Sequence, residues 1–427
     1  MSRLFCWCVL LGILVACSDS AESEPSAVAE PSPSSTSTAQ RQPTSPDTST
    51  SSTSTSLPAE FPATRTEIDL GWEAVEVSAP VAFCHQAVIA TDDELVFWGG
   101  NRASCEYQTP VGDPGMAYNP ETGIWRQLPP GPLEPAVAPT GVWTGSEILI
   151  CCGIAGIAQE GGGEIGSNQA AAYDPETETW RRLSDAPLGG PFPVSVWTGT
   201  EMIVVTRDDA AAYDPSTDEW RTFSNPPDLI GGTNQIAWTG GELIVWPSSV
   251  TRRALRGMAL DPSSDTWRVL PDPPAWPAAL DLGYTGDTLI IWGGLPAERG
   301  SERAVGSQLD LATNDWTELP EPLPEPDGCE CNLGSQTLTW TGDYLLVSPG
   351  FFSTGFNPTA PALIAYHPAT DTWILVDDET PIGLANEGHL VGDRILIEEH
   401  VITGSNRLFV SPAGWQPTGE VISANGP

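Results

Sequence analysis

From about Ile68 to Gln416 the chain is written in short apolar runs, separated by clusters of Gly, Asp, Pro, Ser and Thr. Runs of that length bounded by turn residues predict β-strands. Two phrases recur. The first is AAYDPETETWRRL from Ala171, repeated as AAYDPSTDEWRTF from Ala211 and more loosely from Met116, Met258, Gln308 and Ile364. It predicts a strand, a turn and a second strand, because Asp and Pro suit the first two positions of a type I turn. The departing strand carries Trp125, Trp180, Trp220, Trp267, Trp316 or Trp373, a bulky ring suited to packing on a half-buried sheet.

The second phrase is VWTGSEILI at 142–150, with relatives at 196–204, 237–245, 283–291 and 339–347 and degenerate forms from Ile89 and Leu390. Gly at the first turn position fits a two-residue II′ hairpin. Calling the strands A to D, each unit of about fifty residues reads A, Gly-type turn, B, loop, C, Asp-Pro-type turn, D.

Apolar B strands ending in Trp98-Gly99-Gly100 and Trp292-Gly293-Gly294, Tyr on strand C and Trp on strand D resemble kelch repeats. The resemblance spans most of the chain and implies an all-β fold, a seven-bladed kelch-like β-propeller with four antiparallel strands per blade. The double glycine departs from the pattern in most units, being Cys151-Cys152-Gly153 in the second. Seven A/B hairpins predict seven blades, yet there are eight candidate D strands, counting those at Trp72 and Trp415. A ring closes by joining both chain ends in one blade, which removes an exposed edge. The strand at Trp72 is the expected outer strand of the last blade.

Residues 1–60 read differently. The run to Cys17 has the form of a signal peptide, too short for a membrane span. Leu14-Val15-Ala16-Cys17 resembles a bacterial lipobox, which implies cleavage before Cys17 and lipidation of its thiol. The expected organisation is a lipoprotein signal at 1–16, a Ser/Thr/Pro-rich disordered tether at 17–60 and the propeller at 61–427. The tether composition cannot bury a core. The expected location is extracytoplasmic, on a bacterial cell membrane, with the N-terminal lipid as the only membrane contact.

A net charge of −39 and a pI near 4.1 argue against nucleic acid and anionic lipid surfaces as partners. All 17 basic residues are Arg. Arg126, Arg181, Arg221 and Arg268 each follow a strand-D Trp and so belong to the repeat, as solvated residues or partners of blade-edge acids. Arg299 and Arg303 fall instead in a B-to-C connection.

Because strands in a blade alternate direction, the A/B and C/D turns share one face, and the B-to-C and D-to-A connections share the other. The second face carries the long connections 101–114, 153–168, 294–304, 320–334 and 350–361, and variable loops on a rigid scaffold are where binding resides. Cys84, Cys105, Cys151, Cys152, Cys329 and Cys331 all fall toward that face, and six cysteines in an exported chain predict disulfides. Cys84 with Cys105 is the preferred pair. For the other four, a bridge between the pairs, local disulfides and thiolate ligation of a soft metal are the alternatives.

Aligning the A strands puts Gln86, Asn234, Gln336 and Asn386 at one position, with Asp281 and Glu387 one step later. Inner strands line the channel, so these residues predict a polar ring, which a water-filled channel wants with or without a ligand. The functional expectation is a monomeric binding or scaffold module that takes a protein or glycan ligand on the long-loop face, with no cofactor and no resident metal. The alternative is a carbohydrate-active enzyme, sugar epimerase or sialidase-like, working at the channel mouth. In that reading loop arginines meet a carboxylate by bidentate pairing, and Glu387 or His389 moves a proton. Copper-radical oxidases on kelch-like propellers need two His and two Tyr. Here four of seven tyrosines are spent on the strand-C repeat, and His367 stands in a turn on the other face.

Overall fold

The computed structural model describes residues 60–62, 64–67, 71–76, 85–100, 115–157, 163–207, 209–226, 233–248, 256–295, 303–320, 337–348, 363–377, 385–399, 407–417 and 420–422. They lie in one compact unit, Pro58–Pro427. It is a β-propeller of seven blades, each with four antiparallel strands at its heart. The innermost strands Ala87–Ala90, Thr140–Trp143, Val194–Trp197, Thr233–Trp238, Ala278–Tyr284, Thr337–Trp340 and Ala385–Val391 neighbour one another in turn, and the last packs beside the first. No helix among the described residues is long and apolar enough to cross a membrane.

Blade seven closes the ring with strands from both ends of the chain. Ala385–Val391, Arg394–Glu399 and Arg407–Val410 supply its first three strands, and Glu73–Glu76 pairs as the fourth, with Glu73 opposite Val410. Trp72, just before that strand, is buried and meets Trp415 edge-on, with ring centroids 5.2 Å apart. Among the described residues, three blades carry a fifth strand that the repeat pattern does not announce. Glu60–Pro62 lies outside blade one, Thr64–Glu67 outside blade seven and Glu420–Ile422 outside blade six.

The second strand of each blade is its apolar centre. Leu95–Trp98, Ile148–Cys151 and Met202–Val205 are buried at every residue, because both faces of the sheet meet neighbouring blades. Between blades the outer-strand tryptophans act as repeated ties. Nε1 of Trp180, Trp220, Trp267, Trp316 and Trp373 donates to the carbonyl of Pro129, Ser184, Ser224, Pro271 and Pro320 respectively, at 2.7–3.0 Å. Each acceptor stands four residues beyond the Trp of the preceding blade.

Both turn types have a local cause. Gly145, Gly199, Gly240, Gly286 and Gly342 sit at φ between 91° and 109° at the first position of the A/B turn, a region that side chains resist. The C/D turn is one residue longer than a type I turn alone. Its last residue, such as Glu178, Asp218, Asp265 or Asp371, takes positive φ, and Asp218 N donates to Asp214 O at 3.0 Å. The leading Asp is held by its own turn. The hydroxyls of Ser263 and Ser264, with the Ser263 N–H, keep the Asp261 carboxyl at about 2.

Candidate functional site

The face built from the tight turns closes its polar groups on itself. In blades one to four a Glu at the end of the A/B turn pairs with the Arg after the outer-strand Trp: Glu94 with Arg126, Glu147 with Arg181, Glu201 with Arg221 and Glu242 with Arg268. Each guanidinium donates through Nε and Nη2 to the two carboxylate oxygens, the bidentate geometry that suits Arg. These arginines are therefore partners of blade-edge acids. Burial disfavours the charge on Arg126, but Glu94 and Tyr173 more than offset it and hold its pKa above the ordinary value.

The polar positions of the inner strands mostly tie one blade to the next. Asn234 is buried, and its Nδ2 donates to Thr206 O of the preceding blade at 3.0 Å. Asp281 accepts from Leu282 N at 2.8 Å and from Leu338 N of the following blade at 2.6 Å. Thr140 and Ser195 join blades two and three through their hydroxyls at 2.7 Å. A ring of inner strands leaves these backbone groups without a sheet partner, so side chains complete them.

The seam between blades seven and one differs. Glu398, only 3% exposed, lies near the end of the second strand of blade seven. His389 Nε2 approaches its Oε1 at 3.5 Å, and Gln86 Nε2 of blade one approaches its Oε2 at 3.5 Å. Glu398 Oε1, Gln86 Oε1 and the nearby Thr339 Oγ1 are buried without a formed hydrogen bond among the described residues. Gly388 makes room for this packing, since a Cβ there would stand 2.3 Å from Thr339 Oγ1. A buried carboxylate requires a counter-charge or a proton. His389 is placed to supply either, and Gln86 reaches Glu398 from blade one, whereas Asn234, aligned with Gln86 in the sequence, bonds to Thr206 O instead. No group of three His, Cys, Asp or Glu set to hold a metal occurs among the described residues.

Glu398 was missed by the repeat alignment, although the sequence holds its signal. It stands where the other second strands have Trp98, Cys151, Val205, Trp246, Trp292 and Ser348. A carboxylate in a row otherwise made of uncharged residues, three of them Trp, is the anomaly to notice.

On the long-connection face, Cys151 and Cys152 are joined to each other, and both are buried. Cys152 has φ 72°, matching Gly99 of blade one at φ 75°, so the pair occupies the place of Trp98-Gly99. Its N–H donates to Gln169 O at 3.0 Å, and Ser167 N donates to Gly153 O at 2.7 Å. Above this base the connection forms a hairpin, Ile154–Ile157 with Glu164–Gly166. Ile165 on that hairpin is half exposed.

Cys17, Cys84, Cys105, Arg299, Cys329, Cys331 and Gln336 lie outside the described residues. Asn386 and Glu387 fall in the innermost strand of blade seven, and Arg303 opens the third strand of blade five, Arg303–Asp310. The side chains of these three lie outside the described part of the structure.

No protein-family profile and no curated protein matches the sequence. Solved structures do match the fold. An oligogalacturonate lyase in complex with manganese superposes with a TM-score of 0.54 at 12% identity, over 83% of this chain and 98% of that one. The structure of YjhT matches at a TM-score of 0.45 and 16% identity, over 64% of this chain and 91% of that one. Likeness at these identities is a likeness of fold. Function has to be argued from sites grafted on it.

Proposed function

We propose that the protein is a kelch-like, lipid-anchored extracytoplasmic module that binds a protein or glycan on the face carrying its long connections. The contrast between the two faces carries this reading. In blades one to four the turn face pairs the Glu of each A/B turn with the Arg after the outer-strand Trp. The other face carries connections that differ from blade to blade, such as Trp98 to Met116, Ser348 to Leu363 and the hairpin-bearing stretch from Cys151 to Ala170. Variation on a conserved frame is how a scaffold acquires a ligand. The acidic chain favours uncharged or basic ligands over polyanions.

The test has two arms. Cys17→Ser should move the protein from the membrane fraction to the medium, or leave its signal uncleaved. Replacing 158–162 by a short Gly-Ser link, and separately Arg299 and Arg303 by Ala, should weaken retention on an array of cell-surface glycans and secreted proteins while leaving the melting temperature in place. Retention unaffected by all of these changes, and lost on changing Ser146 or Ser216 in the tight turns, overturns the assignment of the face.

A second reading rests on the His389–Glu398–Gln86 grouping. In a carbohydrate-active enzyme working at the channel mouth, His389 would exchange the proton and Glu398 would set its tautomer. Turnover of a sugar substrate that is abolished by His389→Gln, with folding intact, would favour it over binding alone.

A further inference from the structure

The rim of the propeller shows a relation between cover and burial. Glu60–Pro62 covers the outer strand of blade one, and Glu420–Ile422 covers that of blade six. The tryptophans of those outer strands, Trp125 and Trp373, are both 0% exposed. Blades two to five end on Thr179–Arg182, Glu219–Thr222, Thr266–Val269 and Asp315–Glu318, with no described strand beyond them. Their tryptophans, Trp180, Trp220, Trp267 and Trp316, are only half buried. The same ring at the same place in the blade keeps contact with water where the described residues supply no fifth strand.

The backbone of these edges is also open. Leu183 N donates inward to Ala170 O, as do Phe223 N to Ala210 O, Leu270 N to Gly257 O and Leu319 N to Gly306 O. Amides alternate along a strand, so the N–H groups of Trp180 and Arg182, Trp220 and Thr222, Trp267 and Val269, and Trp316 and Glu318 face outward. Val269, in that row, is 40% exposed. None of the four strands contains Pro, one of the residues that blunts an edge.

The two covering strands define what such an edge accepts. Phe61 stands in register with Trp125, and Ile422 with Trp373. Each strand begins with Glu, Glu60 in one and Glu420 in the other, and continues with apolar residues. We propose that the outer edges of blades two to five are β-augmentation sites for an extended segment of a partner protein. That segment has an acidic residue followed by apolar ones, adds as a fifth antiparallel strand, and sets an apolar residue opposite the half-buried Trp. A second copy is the poorer occupant, because its two described segments of this kind are committed to blades one and six. This surface is separate from the long-connection face and does not depend on the function proposed for it.

The test uses the full chain and a probe peptide of its own sequence, Thr418 to Ala424, followed by amide hydrogen exchange. Saturating peptide should slow exchange by roughly tenfold or more in the outer strands of blades two to five, and shift the fluorescence of the half-buried tryptophans. The same peptide with Ile422→Asp should lose most of this protection. Arg182→Pro removes one outward N–H and no backbone bond of the blade, along with the side-chain bonds to Pro132 O, Gln169 Oε1 and Asp185 Oδ1, and should abolish protection in Thr179–Arg182 while leaving the other three edges protected. Unchanged exchange at all four edges overturns the proposal, and this arm requires no variant to fold. Protection confined to Thr372–Asp377 would mean that the peptide merely replaces Glu420–Ile422, and also overturns it. Protection of the four edges that grows with protein concentration in the absence of peptide would assign them to a second copy and overturn the choice of partner.

Discussion

Trp220 and Ser184 hold adjacent blades together in both directions: the Trp220 indole donates to Ser184 O at 2.8 Å, while the turn of the same blade, through Asp218 Oδ1, accepts from Ser184 N at 2.9 Å. Blade four grips Ser224 in the same way through Trp267 and Asp265. Trp220→Phe keeps most of the ring and loses the donor, so it should cost about 1 kcal/mol. Trp373→Ala, at a fully buried ring, should cost about 3 to 5 kcal/mol. Denaturant unfolding of the two variants beside the parent checks the order.

At the seam, His389→Ala should be more damaging than the size of the side chain implies. It leaves Glu398 buried beside Gln86 alone, and breaking a buried pair on one side costs about 3 kcal/mol or more. Adding Glu398→Gln should restore at least about 1 kcal/mol, since it removes the stranded charge and keeps the shape. A double variant no more stable than His389→Ala would show that the two side chains do not interact.

The Cys151-Cys152 site should tolerate the pattern of blade one. Cys151→Ala with Cys152→Gly supplies a residue at home at φ 72° and should fold with a nearly unchanged melting temperature. Cys151→Ala with Cys152→Val puts a β-branched residue in that region and should lose about 1 to 3 kcal/mol. Comparing the two variants with each other isolates the demand of the backbone, and comparing the first with the parent isolates the demand for the bond.

The exposed turn acids make a prediction for acid pH. Folding lowers the Asp261 carboxyl from 3.8 to about 2, through the Ser263 and Ser264 hydroxyls and the Ser263 N–H. The contribution of this group is complete above the unfolded value of 3.8 and is lost as the pH falls through about 2. The stability gap between the parent and Asp261→Asn should therefore be constant from pH 7 to about 5 and shrink between about pH 4 and 2. Denaturant midpoints across that range measure it.

The repeats made the scaffold legible because each phrase pairs with itself. Gly145 and its equivalents need positive φ, and Asp174 and its equivalents need a turn, so both hairpins announce themselves locally. The strand at Trp72 could be placed because a ring requires a fourth strand for its last blade. What stayed hidden depends on neighbours rather than on period. Glu60–Pro62, Thr64–Glu67 and Glu420–Ile422 are too short to show alternation, and the edge they cover decides their fate. Asn234 and Asp281 could be aligned as inner-strand polar groups, but the backbone atoms of the adjacent blades that they complete depend on the folded neighbours. Gln86 was found by alignment and Glu398 could have been found as an anomaly in its row, whereas their pairing emerges only when blade seven is folded against blade one.

The closure of blade seven also sets a timetable. Glu73 leaves the ribosome early and must wait for Val410 before its strand has a partner within the ring. Blades one to six are assembled from consecutive chain, so their core strands can pair as soon as they emerge, while the ring stays an open arc with Val75 uncovered. Such a distant pairing carries the largest loop-closure entropy in the molecule and comes late. Premature termination anywhere before Arg407 therefore yields an arc rather than a smaller ring, with the edges of its first and last blades left to other chains.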